Sequence, residues 1–503
     1  KLVTGVQTCA LPISSAEVEA IGGIGVWGAA ADLETIRDEY DGLLPLGGVP
    51  SVVPGAASGW LTALSRHGTM SLSAVMEAAI GFAEDGFVLD PRTAAHLATM
   101  AGSLAAWESS AAIFQPAGTP LRAGERLRQP ALARTLRRLA DAADAAERSG
   151  AAREDAIEAA HAEFYRGDIA RTIVEFTAAR GGTLAASDLA SFRADVSPAP
   201  AVRFGRWRVH VTPTWSQGPI IGQALGILER RGIRDIPYGT GRYAHEVVEA
   251  LKVAFSERER IYGDPRFTGV GEPELFAPAH LDALAAQIGE RALPNTPTVP
   301  QAGPRLPSTT AVVVVDASGM AFSTAPSDTL DGAPIIPELG ILCSPRGVQS
   351  RLAVDHPNAL RPGGRPCVTP AAVIALDDAE SVWATACPGG DVIVQAITQA
   401  MLALDVYDRA PQAAVEAPRV FGSSFPGGFH PHPEGDSLVF VEAGFDEEVA
   451  DDLEARGHRV VDWPANEFDA GSVQTVLSTR TAAGDRVLAA GADSRRIAYA
   501  YAR

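Results

Sequence analysis

Pro307-Ser308-Thr309-Thr310-Ala311-Val312-Val313-Val314-Val315-Asp316 is the stretch on which the reading of this chain turns. Adjacent threonines open a β-branched run, and such a run predicts a buried strand. Asp316-Ala317-Ser318-Gly319 predicts a turn, and residues 320–324 the returning strand. Thr309 then has two readings. Threonine is an ordinary strand residue, so its role can be purely structural. Alternatively, the protein itself cuts the peptide bond before Thr309. The cut frees an α-amino group beside a hydroxyl, which places a nucleophile and its base in one residue. A free α-amine has a pKa of roughly 7.7–8.0, so it accepts the hydroxyl proton near neutral pH. The rest of the chain favours the second reading.

Upstream of this stretch, residues 293–307 are rich in proline and read as a linker, suited to swinging away after a cut. A helix is expected from Ala56 to about His67. Another should bury Leu132, Leu136, Leu139 and Ala143 on one face. Phe164-Tyr165-Arg166-Gly167-Asp168 reads as a helix start, residues 203–211 as one strand, and residues 217–230 and 243–261 as helices. Glu249, Lys252, Glu257 and Arg258 on the last helix form a solvated or paired face. Downstream, residues 326–370 read as a long loop, and residues 373–376 and 382–386 as strands. The second strand runs into Cys387-Pro388-Gly389-Gly390-Asp391 and then a helix carrying Ile393, Ile397, Met401 and Leu404. A strand, glycine turn and helix start can aim backbone N–H groups at one anionic spot. A tight turn with no ligand has the same sequence.

With 503 residues, 46% hydrophobic and 20% charged, the composition is that of a soluble globular protein with room for a large core. No apolar run reaches the roughly 18 residues of a membrane span. A net charge of −19 argues against nucleic acid as a partner. Cys9, Cys343, Cys367 and Cys387 lack metal-ligand spacing, and the last three read as small buried hydrophobes. His430-Pro431-His432 with Asp436 reads as a surface loop in preference to a metal site. Neither a phosphate loop nor a dinucleotide fingerprint occurs, and no cofactor is implied. Lys1 to Ile13 resembles translated sequencing-adapter read-through, so residues 1–13 are expected to be foreign and the native start to be missing.

Several segments together resemble the γ-glutamyltransferase (γ-glutamyl transpeptidase) family over nearly the whole chain from about Ala20. They are Val53-Pro54-Gly55 with Gly59, Ala83-Glu84-Asp85-Gly86-Phe87, and Phe164-Tyr165-Arg166-Gly167 with Gly181-Gly182 and Asp188-Leu189. Glu249-Ala250-Leu251-Lys252, Tyr262-Gly263-Asp264-Pro265, Thr309-Thr310, Pro388-Gly389-Gly390, Glu416-Ala417-Pro418-Arg419 and Gly471-Ser472-Val473-Gln474 follow in order. The resemblance implies an α+β fold, the four-layer αββα sandwich of N-terminal-nucleophile hydrolases. It implies one precursor cut into a large part, residues 14–308, and a small part, residues 309–503, that stay together. Thr309 is then the nucleophile, its freed amine the base, and Gly389 and Gly390 the oxyanion donors. Ser327 stands where the family has a threonine that bonds the nucleophile region. The implied partner is a small-molecule amide or peptide whose acyl group passes to water or an amine.

Departures from the family pattern gather where substrate is recognised. Ala311 replaces the histidine after Thr-Thr, and the arginine for the glutamyl carboxylate is missing around Trp27-Gly28. Val368-Thr369 replaces tandem serines, and Thr329 replaces an asparagine. Ser344-Pro345-Arg346-Gly347-Val348-Gln349 replaces the segment whose aspartate holds the α-ammonium. A zwitterionic head needs an anion and a cation, because burying either charge unpaired is unfavourable. Arg346, Asp328 or Asp331 can compensate from a neighbouring position. Amide-cleaving or acyl-transfer chemistry is the first expectation. A homologue that keeps the fold as a binding or structural protein is the alternative.

Overall fold

The valine run forms the strand Val312–Val315, and Ala321–Thr324 returns antiparallel to it with Ala321 opposite Val315. Between them, Asp316 Oδ1 accepts the N–H groups of Ser318 (2.8 Å) and Met320 (2.9 Å). The computed structural model in which this is seen describes residues 8–14, 17–269, 272–294, 308–433, 437–481 and 483–501. The hairpin is one side of a five-stranded antiparallel sheet in the order Asp195–Pro198, Glu17–Gly23, Thr8–Ser14, Ala321–Thr324, Val312–Val315. Thr8–Ser14 pairs with both of its neighbours.

The expected burial of the valine run needs correction. Val312–Val315 is an edge strand, and Val312 and Val314 are 47% and 50% exposed. Four valines carry strand propensity, but which face a second layer covers is decided elsewhere in the chain.

A six-stranded sheet runs Arg486–Ala492, Gln474–Arg480, Val382–Ala386, Ala372–Leu376, Trp207–Val211, Ala201–Phe204, again antiparallel throughout. Side chains from both sheets, among them Ala20, Val315, Ala321, Ile374 and Ala384, share one apolar cluster. Ser323 Oγ crosses between them to donate to the Thr385 carbonyl at 2.8 Å. Trp215 packs in the same cluster, 2% exposed.

Helices Gly218–Arg230, Gly241–Ile261 and Val392–Asp405 bury Ile221, Leu225, Val247, Leu251, Ile393 and Ile397 with Val209 and Trp383 of the six-stranded sheet. Helix Ala56–His67 contacts Thr8–Ser14 and Glu17–Gly23. A further cluster unites it with helices Leu72–Asp85, Pro130–Arg148, Arg153–Arg166 and Asp168–Ala178, and includes Leu132, Leu136, Leu139 and Ala143.

Several boundaries differ from expectation. Residues 203–211 hold two strands, because Gly205 (φ +52°) turns the chain between Phe204 and Trp207. Phe164-Tyr165-Arg166 closes one helix, and Gly167 caps the next. The long loop after Pro326 contains short strands at Ser327–Asp328, Ile335–Ile336 and Ile341–Leu342. Of the two readings for the charged face of helix Gly241–Ile261 the paired one holds, with Glu249, Glu257 and Arg258 buried: Glu249 pairs with Lys252 (2.6 Å), Glu257 with Arg260 (2.6 Å) and Arg258 with Asp391 (2.9 Å). Cys343, Cys367 and Cys387 are buried free thiols. Residues 295–307 of the expected linker lie outside the described residues. Among the described residues no helix is long and apolar enough to cross a membrane.

Candidate active site

Ser308–Thr309 is a two-residue strand paired antiparallel with Ser327–Asp328, with Thr309 opposite Ser327. Directly opposed residues in such a pair bring their side chains together on one face. Thr309 Oγ1 and Ser327 Oγ lie 2.6 Å apart, and both residues are buried (3% and 1% exposed). The Thr310 N–H donates to the Pro326 carbonyl at 2.9 Å, which fixes the exit from the pair.

Behind Ser327 stands Arg346, wholly buried at the start of the one-turn helix Arg346–Gln349. Its Nη2 donates to Ser327 Oγ, and its Nη1 donates to Gln349 Oε1 at 2.7 Å. Its Nε lies 3.6 Å from Asp328 Oδ1, and the Phe429 ring centroid is 5.6 Å from its Cζ. Gln349 Nε2 in turn donates to Thr369 Oγ1 at 3.3 Å. Burial pushes the Asp328 carboxyl up to about 6, against the opposing pull of Arg346, the Thr329 N–H and Ser344. Burial also raises Asp331.

Gly347 in this turn has no room for a side chain, since a Cβ there would sit 2.3 Å from the Trp27 ring and 2.5 Å from the Pro50 carbonyl oxygen. Trp27 is 1% exposed and donates to Ser350 Oγ at 2.9 Å. The indole is therefore part of the packing that shapes this corner.

The glycine turn follows strand Val382–Ala386. Gly389 (φ +147°) and Gly390 (φ +66°) both occupy backbone conformations that favour glycine. Asp391, the N-cap of helix Val392–Asp405, anchors the end of the turn. Its Oδ1 accepts from Gln217 Nε2 (2.7 Å) and Arg258 Nη1 (2.9 Å), and its Oδ2 accepts the Gly428 N–H (2.8 Å). Packed against the turn is Gly471-Ser472, whose Ser472 N–H points to Cys387 Sγ at 3.3 Å.

Thr309, Thr310, Pro388, Ser472 and Gln474 share the wall of one cavity of about 980 Å³. Opposite them the lining is largely apolar, with Leu64, Val75, Leu139 and Phe164, and the C-terminal residues Arg496 to Tyr501 complete the rim. Of the residues singled out for substrate, Ser327 and Arg346 gather behind Thr309, with Thr369 one bond further on through Gln349. Val368 turns into the inter-sheet core and exchanges backbone hydrogen bonds with Trp215 and Gln217. Thr329 is buried beside Asp328. None of these five lines the cavity.

The Asp391 anchor was not anticipated from the sequence, although an aspartate next to Gly-Gly at a helix start was a signal for it. The C-terminal contribution to the rim carried no such signal. His430 Nε2 accepts the Leu44 N–H at 3.0 Å, and both ring nitrogens of His432 contact backbone carbonyls. Asp436 lies outside the described residues, and among those described no group of three metal-ligating side chains occurs.

The fold mixes helix and sheet with Thr309 and Pro388 on the wall of one cavity, and its relatives place it in the amidohydrolase and acyltransferase class of enzymes. More specifically, the chain belongs to the gamma-glutamyltranspeptidase family of the Ntn-hydrolase superfamily, whose model matches residues 10–502. It is 33% identical over 431 residues to the acylase ACY 1 proenzyme of a Pseudomonas species, covering 85% of this chain and 72% of that protein. It is 30% identical over 446 residues to the glutathione hydrolase proenzyme of Escherichia coli, covering 85% and 71%. Among solved structures it resembles a cephalosporin acylase from Bacillus halodurans, with a TM-score of 0.82 and 25% identity, covering 98% and 86%.

Proposed function

We propose that the chain is a self-cutting amidohydrolase or acyltransferase in which Thr309 is the nucleophile. The observation that carries this reading is the buried Thr309 hydroxyl, 2.6 Å from Ser327 Oγ and on the wall of the large cavity. In maturation, Thr309 Oγ adds to the Ser308 carbonyl carbon. The C–N bond breaks as the nitrogen takes up a proton, and water hydrolyses the resulting ester. The products are a Ser308 carboxylate and a free Thr309 amine, on parts 14–308 and 309–503 of an αββα sandwich.

In turnover the freed amine accepts the Thr309 hydroxyl proton as the oxygen attacks a substrate amide. The N–H groups of Gly389 and Gly390 hold the oxyanion, a role worth roughly 2.7–4 kcal/mol per donor in comparable sites. Water or an amine then takes the acyl group. The donor is a γ-glutamyl or related amide. Arg346 is already engaged by Ser327 and Gln349, and Trp27 fills the place of the expected arginine. That favours a donor whose head is not held as a buried zwitterion by these two positions.

Intact mass spectrometry of the purified protein and of Thr309→Ala tests the reading. Two fragments divided at Ser308–Thr309, replaced by one uncut chain in the variant, are expected. Cleavage at that bond in Thr309→Ala would overturn it. A screen of glutamyl and non-glutamyl anilides on the cut protein then identifies the donor.

A further inference from the structure

We propose that Arg346 is a positioning residue that acts on the nucleophile through Ser327, holding the Ser327 hydroxyl so that it donates to Thr309 Oγ1 and steadies negative charge there. This inference rests on the reading of Thr309 as the nucleophile.

A guanidinium carries hydrogen-bond donors only, so its bond to Ser327 Oγ must use a serine lone pair. The serine proton is then left to point elsewhere, and Thr309 Oγ1 at 2.6 Å is an acceptor within reach. Charge-assisted bonds are stronger than neutral ones, and the low-dielectric surroundings of a residue with 0% exposure enlarge the effect. When Thr309 loses its proton in attack, the oxygen becomes a better acceptor and the chain Arg346–Ser327–Thr309 tightens.

Arg346 itself is locked on its other side by Gln349 Oε1 and covered by Phe429. It does not reach the cavity, so direct binding of substrate is not its task. Asp328 Oδ1 stands 3.6 Å from Nε, on a different guanidinium nitrogen from the one that holds Ser327. No atom is transferred to or from Arg346 at any stage.

Self-cutting provides an assay that needs no substrate. Precursor made by cell-free translation is followed by mass as it matures across a range of pH, for the unaltered chain, Arg346→Lys, Arg346→Met, Ser327→Ala and Ser327→Ala with Arg346→Lys. Arg346→Met is expected to mature roughly a hundredfold more slowly, with its rate profile displaced to higher pH, since each pKa unit on the nucleophile is about a tenfold change in alkoxide. Arg346→Lys should recover part of the rate through its retained charge. In the Ser327→Ala background, Arg346→Lys should change little further, because the link has already been removed.

Normal maturation of Arg346→Met overturns the proposal. So do additive effects of the serine and arginine changes, or a slowed rate with an unmoved pH profile, which mark a structural role only. If Arg346→Met fails to fold, the Arg346→Lys and Ser327→Ala cycle decides alone. Maturation of a Thr309→Ala control would instead refute the nucleophile itself and is read separately.

Discussion

Asp493 and Asp328 are each buried beside a buried arginine, and they end in opposite electrostatic states. Asp493 is 1% exposed and held below the usual carboxylate range. Burial alone would raise it, but Arg419, Arg495 and two backbone N–H groups overrule that push. Its Oδ2 accepts from Arg419 Nη2 (2.5 Å) and the Val473 N–H (3.0 Å). Its Oδ1 accepts from the Arg495 backbone (3.0 Å) and Nη1 (3.1 Å). Asp328 is equally buried, yet it meets a single guanidinium at 3.6 Å, the Thr329 N–H at 2.8 Å and the Ser344 hydroxyl, and it is pushed up to about 6. Burial is common to both, so the difference lies in the number and aim of the partners.

The first cluster is scaffold. Arg495 also grips Glu442 through Nε (2.8 Å) and Nη2 (2.5 Å), a fork-to-fork pair. It ties the chain end to the carbonyls of Val415 and Ala417. The second cluster holds its arginine between Gln349, Asp328 and a serine hydroxyl, and that serine touches the proposed nucleophile.

The largest effect should therefore come from the scaffold. Arg495→Met takes the guanidinium from buried Glu442 and one of two guanidinium partners from buried Asp493, and removing one partner of such a buried pair costs roughly 3–5 kcal/mol. Urea unfolding, with Thr309→Ala present in both chains to keep them single, should show that loss. A change near zero would mean the cluster relaxes freely and is no firmer than the Arg346 corner.

The same contrast explains what could be read from residues alone. Helix Ala56–His67 and strand Val382–Ala386 follow from local periodicity and match expectation to within a residue. The exposure of Val312 and Val314 depends on their being at a sheet edge, and strand order is not written in four valines. Arg346 was picked out by its departure from a family pattern, as a candidate for substrate. Its commitment to Ser327 comes from a β-pair register and a one-turn helix folded back on it, which are long-range facts. Asp493 and Arg495 drew no notice, because a paired charge and a solvated one look alike until burial is known.

A second effect, smaller in energy, belongs to the glycine turn, where Asp391 plays the part in the proposed active site that Asp493 plays in the scaffold. Asp391→Asn keeps the shape. It replaces one acceptor oxygen with an N–H₂ that must face either Gln217 and Arg258 or the Gly428 N–H. If the turn supplies the oxyanion donors, turnover of the donor found in the screen should fall roughly a hundredfold with KM little changed, as for displacement of one such donor. A rise in KM with kcat intact would place Asp391 in ground-state binding instead.

The smallest effect is a slope, and it tests the electrostatic difference itself. A carboxyl raised from 3.8 to about 6 on folding binds its proton more tightly in the folded chain. Its contribution to stability is fully present below the unfolded value. It is lost as pH rises through the folded one, the reverse of a carboxylate held low. Asp328→Asn cannot titrate there. The stability of the unaltered side chain relative to the asparagine variant should thus fall by about 2 kcal/mol between pH 4 and pH 7. Asp331 is also raised, but it is common to both chains and cancels in the difference. Asp493→Asn should give the opposite sign in a lower window: that carboxylate is held low, so its advantage is nearly flat from pH 5 to 7 and is lost as pH falls below about 4. An Asp328 comparison that is flat from pH 4 to 7, like that of Asp493, would mean that the two pairs are electrostatically alike. Arg346 would then be neutralised by Asp328 as fully as Arg495 is by its carboxylates, with little field left to reach Ser327 and Thr309.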